Sequence, residues 1–136
     1  MGDEHTAGPF ADVCAGVGAA IAAYTLALDD GRTDDVVATF CVDGRCDIPG
    51  LGQHEGHDAL RQAYGGIQST GAQRHLVVNT EVTRWDSAQA EATSDVVVLV
   101  KGDGGWSVGV VGRYQDVLHR DGDSWRFHSR VAKFAR

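Results

Sequence analysis

An α+β domain, with its helices laid on one face of a curved antiparallel sheet, is the fold class this sequence predicts. Three observations carry the prediction. Apolar residues recur at helical spacing only in the first half. From Gln73 onward the period changes to two. The joints in that second half are short and rich in Asp and Gly. Helices first and long strands last is the order of an α+β chain rather than of repeated βαβ units.

The elements follow in order. Residues 1–9 are polar and acidic and read as a flexible tail. Residues 10–136 form one domain, as expected for a 136-residue chain. Phe10, Val13, Cys14, Val17, Ile21, Tyr24 and Leu28 make the stripe of an amphipathic helix about five turns long. Alanine and glycine on its other faces permit close approach. Gly31, after Asp29-Asp30, is a natural left-handed cap. Thr33-Asp34-Asp35 reads as an N-cap and acidic first turn for a short helix carrying Val36, Val37 and Phe40. Cys41 to Ile48 suits a turn and a short strand, and Pro49 to Gly56 a glycine-rich loop. Asp58 to Ile67 suits a third helix. Arg74–Trp85, Gln89–Lys101, Trp106–Arg120 and Ser124–Phe134 then form a meander. Gly109 and Gly112 mark a sharp bend or bulge in its third strand. A bent sheet with a helix across its concave side encloses a cone whose open end is a pocket.

Composition narrows the function. Twelve Lys and Arg against nineteen Asp and Glu give a net charge of −7, and the basic residues are scattered. Nucleic acid and anionic membranes are therefore not expected partners. The N-terminus lacks the basic start and apolar core of a signal peptide, and no apolar run is read as a membrane span. Cys14, Cys41 and Cys46 are odd in number with no Cys-x-x-Cys, which suits reduced thiols in the cytoplasm. No metal is expected: His54 and His57 flank Glu55 without an obvious third ligand, and a zinc site would need distant histidines to join a cysteine. No phosphate-binding loop, dinucleotide fingerprint or Gly-x-Ser-x-Gly elbow is present, so no cofactor is expected.

Two residues stand out chemically. Asp29 sits in the last turn of the long helix, where unpaired carbonyls disfavour a carboxylate. His75, near the start of the first long strand, shares a face with Gln73, Val77 and Asn79 by simple alternation. A face mixing His, Asn and Val suits a ligand pocket with a few polar groups. Arg130 and His128 share a parity opposite to Trp125 and Phe127, and could orient a substrate from within. Tyr24, Tyr64 and Tyr114 could line the pocket and offer hydroxyls.

These residues together resemble the NTF2-like superfamily, and within it the SnoaL-like branch. The resemblance rests on Tyr24…Leu28-Asp29, Val36–Phe40, Asp43-Gly44, Gly56-His57-Asp58-Ala59-Leu60, Arg74-His75…Asn79, Gly112-Arg113-Tyr114-Gln115-Asp116 and Trp125-Arg126-Phe127…Arg130. It spans residues 10 to about 134. It implies a cystatin-like cone with a deep apolar pocket for a small hydrophobic ligand, and a homodimer or homotrimer. The subgroup with scytalone dehydratase and hexachlorocyclohexane dehydrochlorinase places an Asp at the end of the first helix and a His early in the meander. Those two remove a proton from carbon without a metal. By this resemblance Asp29 and His75 are the catalytic pair of a lyase or isomerase acting on a small cyclic substrate. Two alternatives are a non-catalytic binding or assembly module, and a polyketide-type cyclase using Asp95 or Asp116.

Overall fold

A computed structural model describes residues 9–67 and 71–135. Helix α1 (Pro9–Asp29) is followed by α2 (Thr33–Ala38), β1 (Phe40–Ile48), β2 (Gly52–Glu55) and α3 (His57–Gly65). Strands β3 (Gln73–Trp85), β4 (Gln89–Gly102), β5 (Gly105–Asp121) and β6 (Ser124–Phe134) complete the chain. The six strands form one sheet in the order β2-β1-β6-β5-β4-β3. The β3–β6 meander is antiparallel as read from the sequence. Strand β1 joins it by parallel pairing with β6, and β2, placed in the segment expected as a loop, turns back antiparallel on β1. The expected tail lies largely outside the described residues; Pro9 itself opens α1, where its missing N–H costs nothing.

By length and composition α1 is apolar enough to cross a membrane, which corrects the sequence reading. Here Val13, Val17, Ile21 and Tyr24 on its stripe are buried in the core with Leu60, Leu118, Trp125 and Phe127. Phe10, expected on the same stripe, is exposed and leans on Trp85 with ring centroids 5.5 Å apart. Packing depends on the small residues between. A Cβ built on Gly16 would lie 2.1 Å from Trp125 Cδ1, so the indole occupies the space a side chain would need. Gly31 ends the helix at φ +72°, with Arg32 N–H donating to Ala27 O at 2.9 Å. Thr33 is the first helical residue of α2 rather than its cap; Arg32 holds that place without a side-chain cap bond, and pairs with Asp35 instead.

Three of the sheet's register breaks bear on the residues singled out. Val98 and Leu99 face Val110 and Val108, leaving Gly109 as an extra residue in β5. Val78 and Glu81 face Asp95 and Thr93, so Asn79 and Thr80 together oppose Ser94. Leu118 and Val117 face Phe127 and Ser129, making His128 the bulged residue of β6. Each bulge shifts the two-residue alternation by one. The third corrects the reading of β6: Arg130 lies inside with Trp125 and Phe127, while His128 alone turns to the outer face.

Arg130 and Asp116 are cross-strand partners buried in the core. The guanidinium carbon sits 3.6 Å from the Tyr114 ring centroid and 4.2 Å from that of Tyr24. Its Nε stands 3.4 Å from Asp116 Oδ1, an ion pair without hydrogen-bond geometry. Burial pushes the Asp116 carboxyl up to about 6, and Arg130 offsets this only in part.

Two expectations follow. Gly16→Ala should cost about 1–3 kcal/mol through overpacking against Trp125. Gly18→Ala, with nothing within 4 Å of its Cβ, should be neutral or gain up to about 1 kcal/mol of helix propensity. Urea unfolding of both variants separates the two effects. Secondly, the native Asp116 carboxyl is raised above its unfolded value. Its contribution to stability is therefore present below about pH 4 and lost as pH rises through about 6. Asp116→Asn should remove that part of the pH dependence, read from denaturation midpoints between pH 4 and 7.

Candidate active site

The site begins where α1 ends. The Asp29 carboxylate points from the last helical turn to β3, an edge strand of the sheet. There Oδ2 accepts the His75 backbone N–H at 2.7 Å, and Oδ1 meets His75 Nδ1 at 2.6 Å. Gln73 Nε2 donates to Oδ1 at 3.4 Å. The backbone bond and the ring bond fall on different oxygens, so the carboxylate plane is fixed and the imidazole with it. The Asp29 and His75 side chains are only 5% and 13% exposed. A carboxylate can only accept here, so His75 Nδ1 carries the hydrogen, and in the neutral ring the lone pair is then on Nε2.

His75 forms part of the wall of a cavity of about 220 Å³ inside the cone. Val96, Val98 and Val110 from the sheet, Ile48 and Leu51 from the β1–β2 turn, and Phe134 supply apolar surface. Tyr24, Tyr64 and Tyr114 also line it, as expected. The Tyr24 and Tyr64 hydroxyls are 2.7 Å apart. One donates to the other, and the Tyr64 hydroxyl also meets the Cys46 thiol. Burial holds all three phenols above their ordinary range, so they are neutral donors.

The structure brings His75, Tyr24, Tyr64 and Tyr114 to one cavity wall, with Asp29 behind His75 and outside that wall. It does not bring Asn79 there. The β3 bulge turns Asn79 outward at φ +55°, where its amide donates to Asp95 Oδ2 at 2.9 Å. Thr80 takes the inward place and meets Ser94 Oγ at 3.0 Å. His128 is on the other face of the sheet, and Arg130 lies behind the tyrosines rather than in the cavity wall. Asp95 and Asp116, the alternative acids, do not line it either. Asp95 bonds Asn79 and Arg113, which hold its carboxyl below the usual range. His54 and His57 are engaged with the carbonyls of Leu51 and Phe40. Gln73 is the polar residue at the site that was not singled out; its position two before His75 on the same face was the available signal.

The comparisons agree with this architecture. A SnoaL-like domain model matches residues 14–131. A function unknown protein from Mycobacterium tuberculosis superposes with a TM-score of 0.81 at 25% identity, covering 88% of this chain and 70% of that one. A structure named as a candidate scytalone dehydratase from Novosphingobium aromaticivorans gives 0.82 at 17% identity, with 94% and 87% covered. A type 2 hexachlorocyclohexane dehydrochlorinase gives 0.80 at 13% identity, with 94% and 88% covered. No curated protein matches by sequence. With the family model spanning nearly the whole described chain, this protein belongs to the SnoaL-like domain family.

Proposed function

We propose that the protein is a cofactor-free lyase or isomerase that takes a proton from carbon in a small hydrophobic, cyclic substrate. The 2.6 Å contact between His75 Nδ1 and Asp29 Oδ1 at the cavity wall carries this reading. His75 Nε2 accepts the substrate proton, and the imidazolium so formed is stabilised by the Asp29 carboxylate. The electron pair left on carbon expels a leaving group from the neighbouring carbon, or shifts a double bond. A hydroxyl of the Tyr24–Tyr64 pair turns to donate to the oxygen or leaving group on which charge develops. A cavity of about 220 Å³ falls below the ~300–1,000 Å³ usual for drug-sized ligands, which favours a compact substrate. The scytalone dehydratase-like and dehydrochlorinase neighbours share the fold and fit an elimination.

A non-catalytic pocket binder would not need the buried His–Asp contact. The outer sheet face supports a separate assembly role: exposed Leu76 and Val111 flank Val97 across β3, β4 and β5. We assign that face to a homodimer or homotrimer contact. Three free cysteines suit a reducing cytoplasm.

The reaction is tested by incubating the protein with cyclic ketones, steroids and aromatic polyketides in deuterated water and following elimination or deuterium uptake by mass spectrometry. His75→Ala and Asp29→Asn should each lower the rate by about 10²–10⁴-fold while ligand-induced thermal shifts persist. Turnover unchanged in His75→Ala contradicts the reading.

A further inference from the structure

On the sheet face opposite the cavity, three strands converge on a cluster the proposed reaction does not use. Cys41 on β1, His119 on β5 and His128 on β6 each adjoin an inward core residue, Phe40, Leu118 and Phe127. Alternation turns all three outward, and the β6 bulge isolates His128 there. One ligating atom from each lies within 4.8 Å of the others. The two imidazoles stack with centroids 4.2 Å apart and planes 11° from parallel. Among the described residues His128 Nδ1 is buried and has no hydrogen-bond partner. Asp43 Oδ1 stands 3.9 Å from it, too far for a hydrogen bond. Cys41 Sγ has a weak contact with Arg126 O at 3.7 Å. A thiol and two imidazoles on a shared face, held together by strand pairing yet poorly bonded to one another, form a donor set awaiting an acceptor.

We propose that Cys41, His119 and His128 bind a thiophilic divalent transition metal of the zinc class. One thiolate and two imidazoles suit zinc or cobalt and exclude magnesium and calcium as preferred ions. Tetrahedral zinc bonds need ligating atoms about 3.3–3.6 Å apart, so one imidazole rotates to converge its lone pair with that of the other. Binding expels the thiol proton to solvent and forms the sulfur–metal bond. Water would supply the fourth donor. The ion would pin β1 to β5 and β6 beside the break in β1–β6 register between Phe40 and Arg45. The site stands on residues apart from Asp29 and His75, so its failure leaves the catalytic reading intact.

The test is cobalt(II) titration of reduced, chelator-stripped full-length protein. One equivalent should produce tetrahedral visible absorption and a thiolate-to-cobalt charge-transfer band, both bleached by zinc. Cys41→Ser should abolish the charge-transfer band. His119→Gln and His128→Gln should each weaken binding at least tenfold, and Cys14→Ser should leave it unchanged. Circular dichroism without metal checks the fold of each variant. X-ray absorption on the zinc-loaded wild-type protein is independent of any variant: one sulfur and two imidazole nitrogens are expected. Absence of a saturable one-to-one complex, a charge-transfer band surviving in Cys41→Ser, or a shell without sulfur overturns the proposal.

Discussion

The Asp29 carboxylate joins the two halves of the molecule. It ends the long helix α1 and accepts both the backbone N–H and the ring of His75, 46 residues later. On an edge strand a backbone N–H lacks a partner strand, and a buried donor without a partner is costly. A negative charge at a helix C-terminus is likewise unfavourable. Each problem answers the other: the carboxylate gains donors, the edge amide gains an acceptor. The same contact ties the end of α1 to the first strand of the meander beside the cavity.

That arrangement sets polar groups into a largely apolar cavity. Ile48, Leu51, Val96, Val98 and Val110 supply apolar wall from the sheet and the β1–β2 turn. The polar groups on the wall are His75, Gln73 and the hydroxyls of Tyr24, Tyr64 and Tyr114, with Asp29 behind His75. Beneath the tyrosines, Arg130 stacks on Tyr24 and Tyr114 and faces Asp116. This buried pair costs desolvation, yet it holds two rings of the cavity wall in place. The chemistry at the mouth of the cone thus rests on an electrostatic core a layer below.

Local periodicity made much of this legible. The α1 stripe, the Gly31 cap, the four long strands and the Asp29–His75 pair all follow from spacing and resemblance. What periodicity could not show is where it breaks. A bulge moves parity by one, and two bulges misplace Asn79 and His128 while putting Arg130 deeper than expected. The parallel β1–β6 pairing joins residues some 85 positions apart, as in the Phe40–Phe127 pair, and no local signal encodes it. The same long-range pairing brings Cys41 to His119 and His128, which a reading of spacings alone could not assemble.

The central claim is that Asp29 fixes His75 as the Nδ1–H tautomer with a free Nε2 facing the cavity. Long-range ¹H–¹⁵N correlation spectra of the imidazole at neutral pH test it directly. The wild type should show a single Nδ1–H tautomer for His75, and Asp29→Asn should shift it to a mixture. A wild-type His75 that is predominantly the Nε2–H tautomer, or one unchanged by Asp29→Asn, would contradict the account.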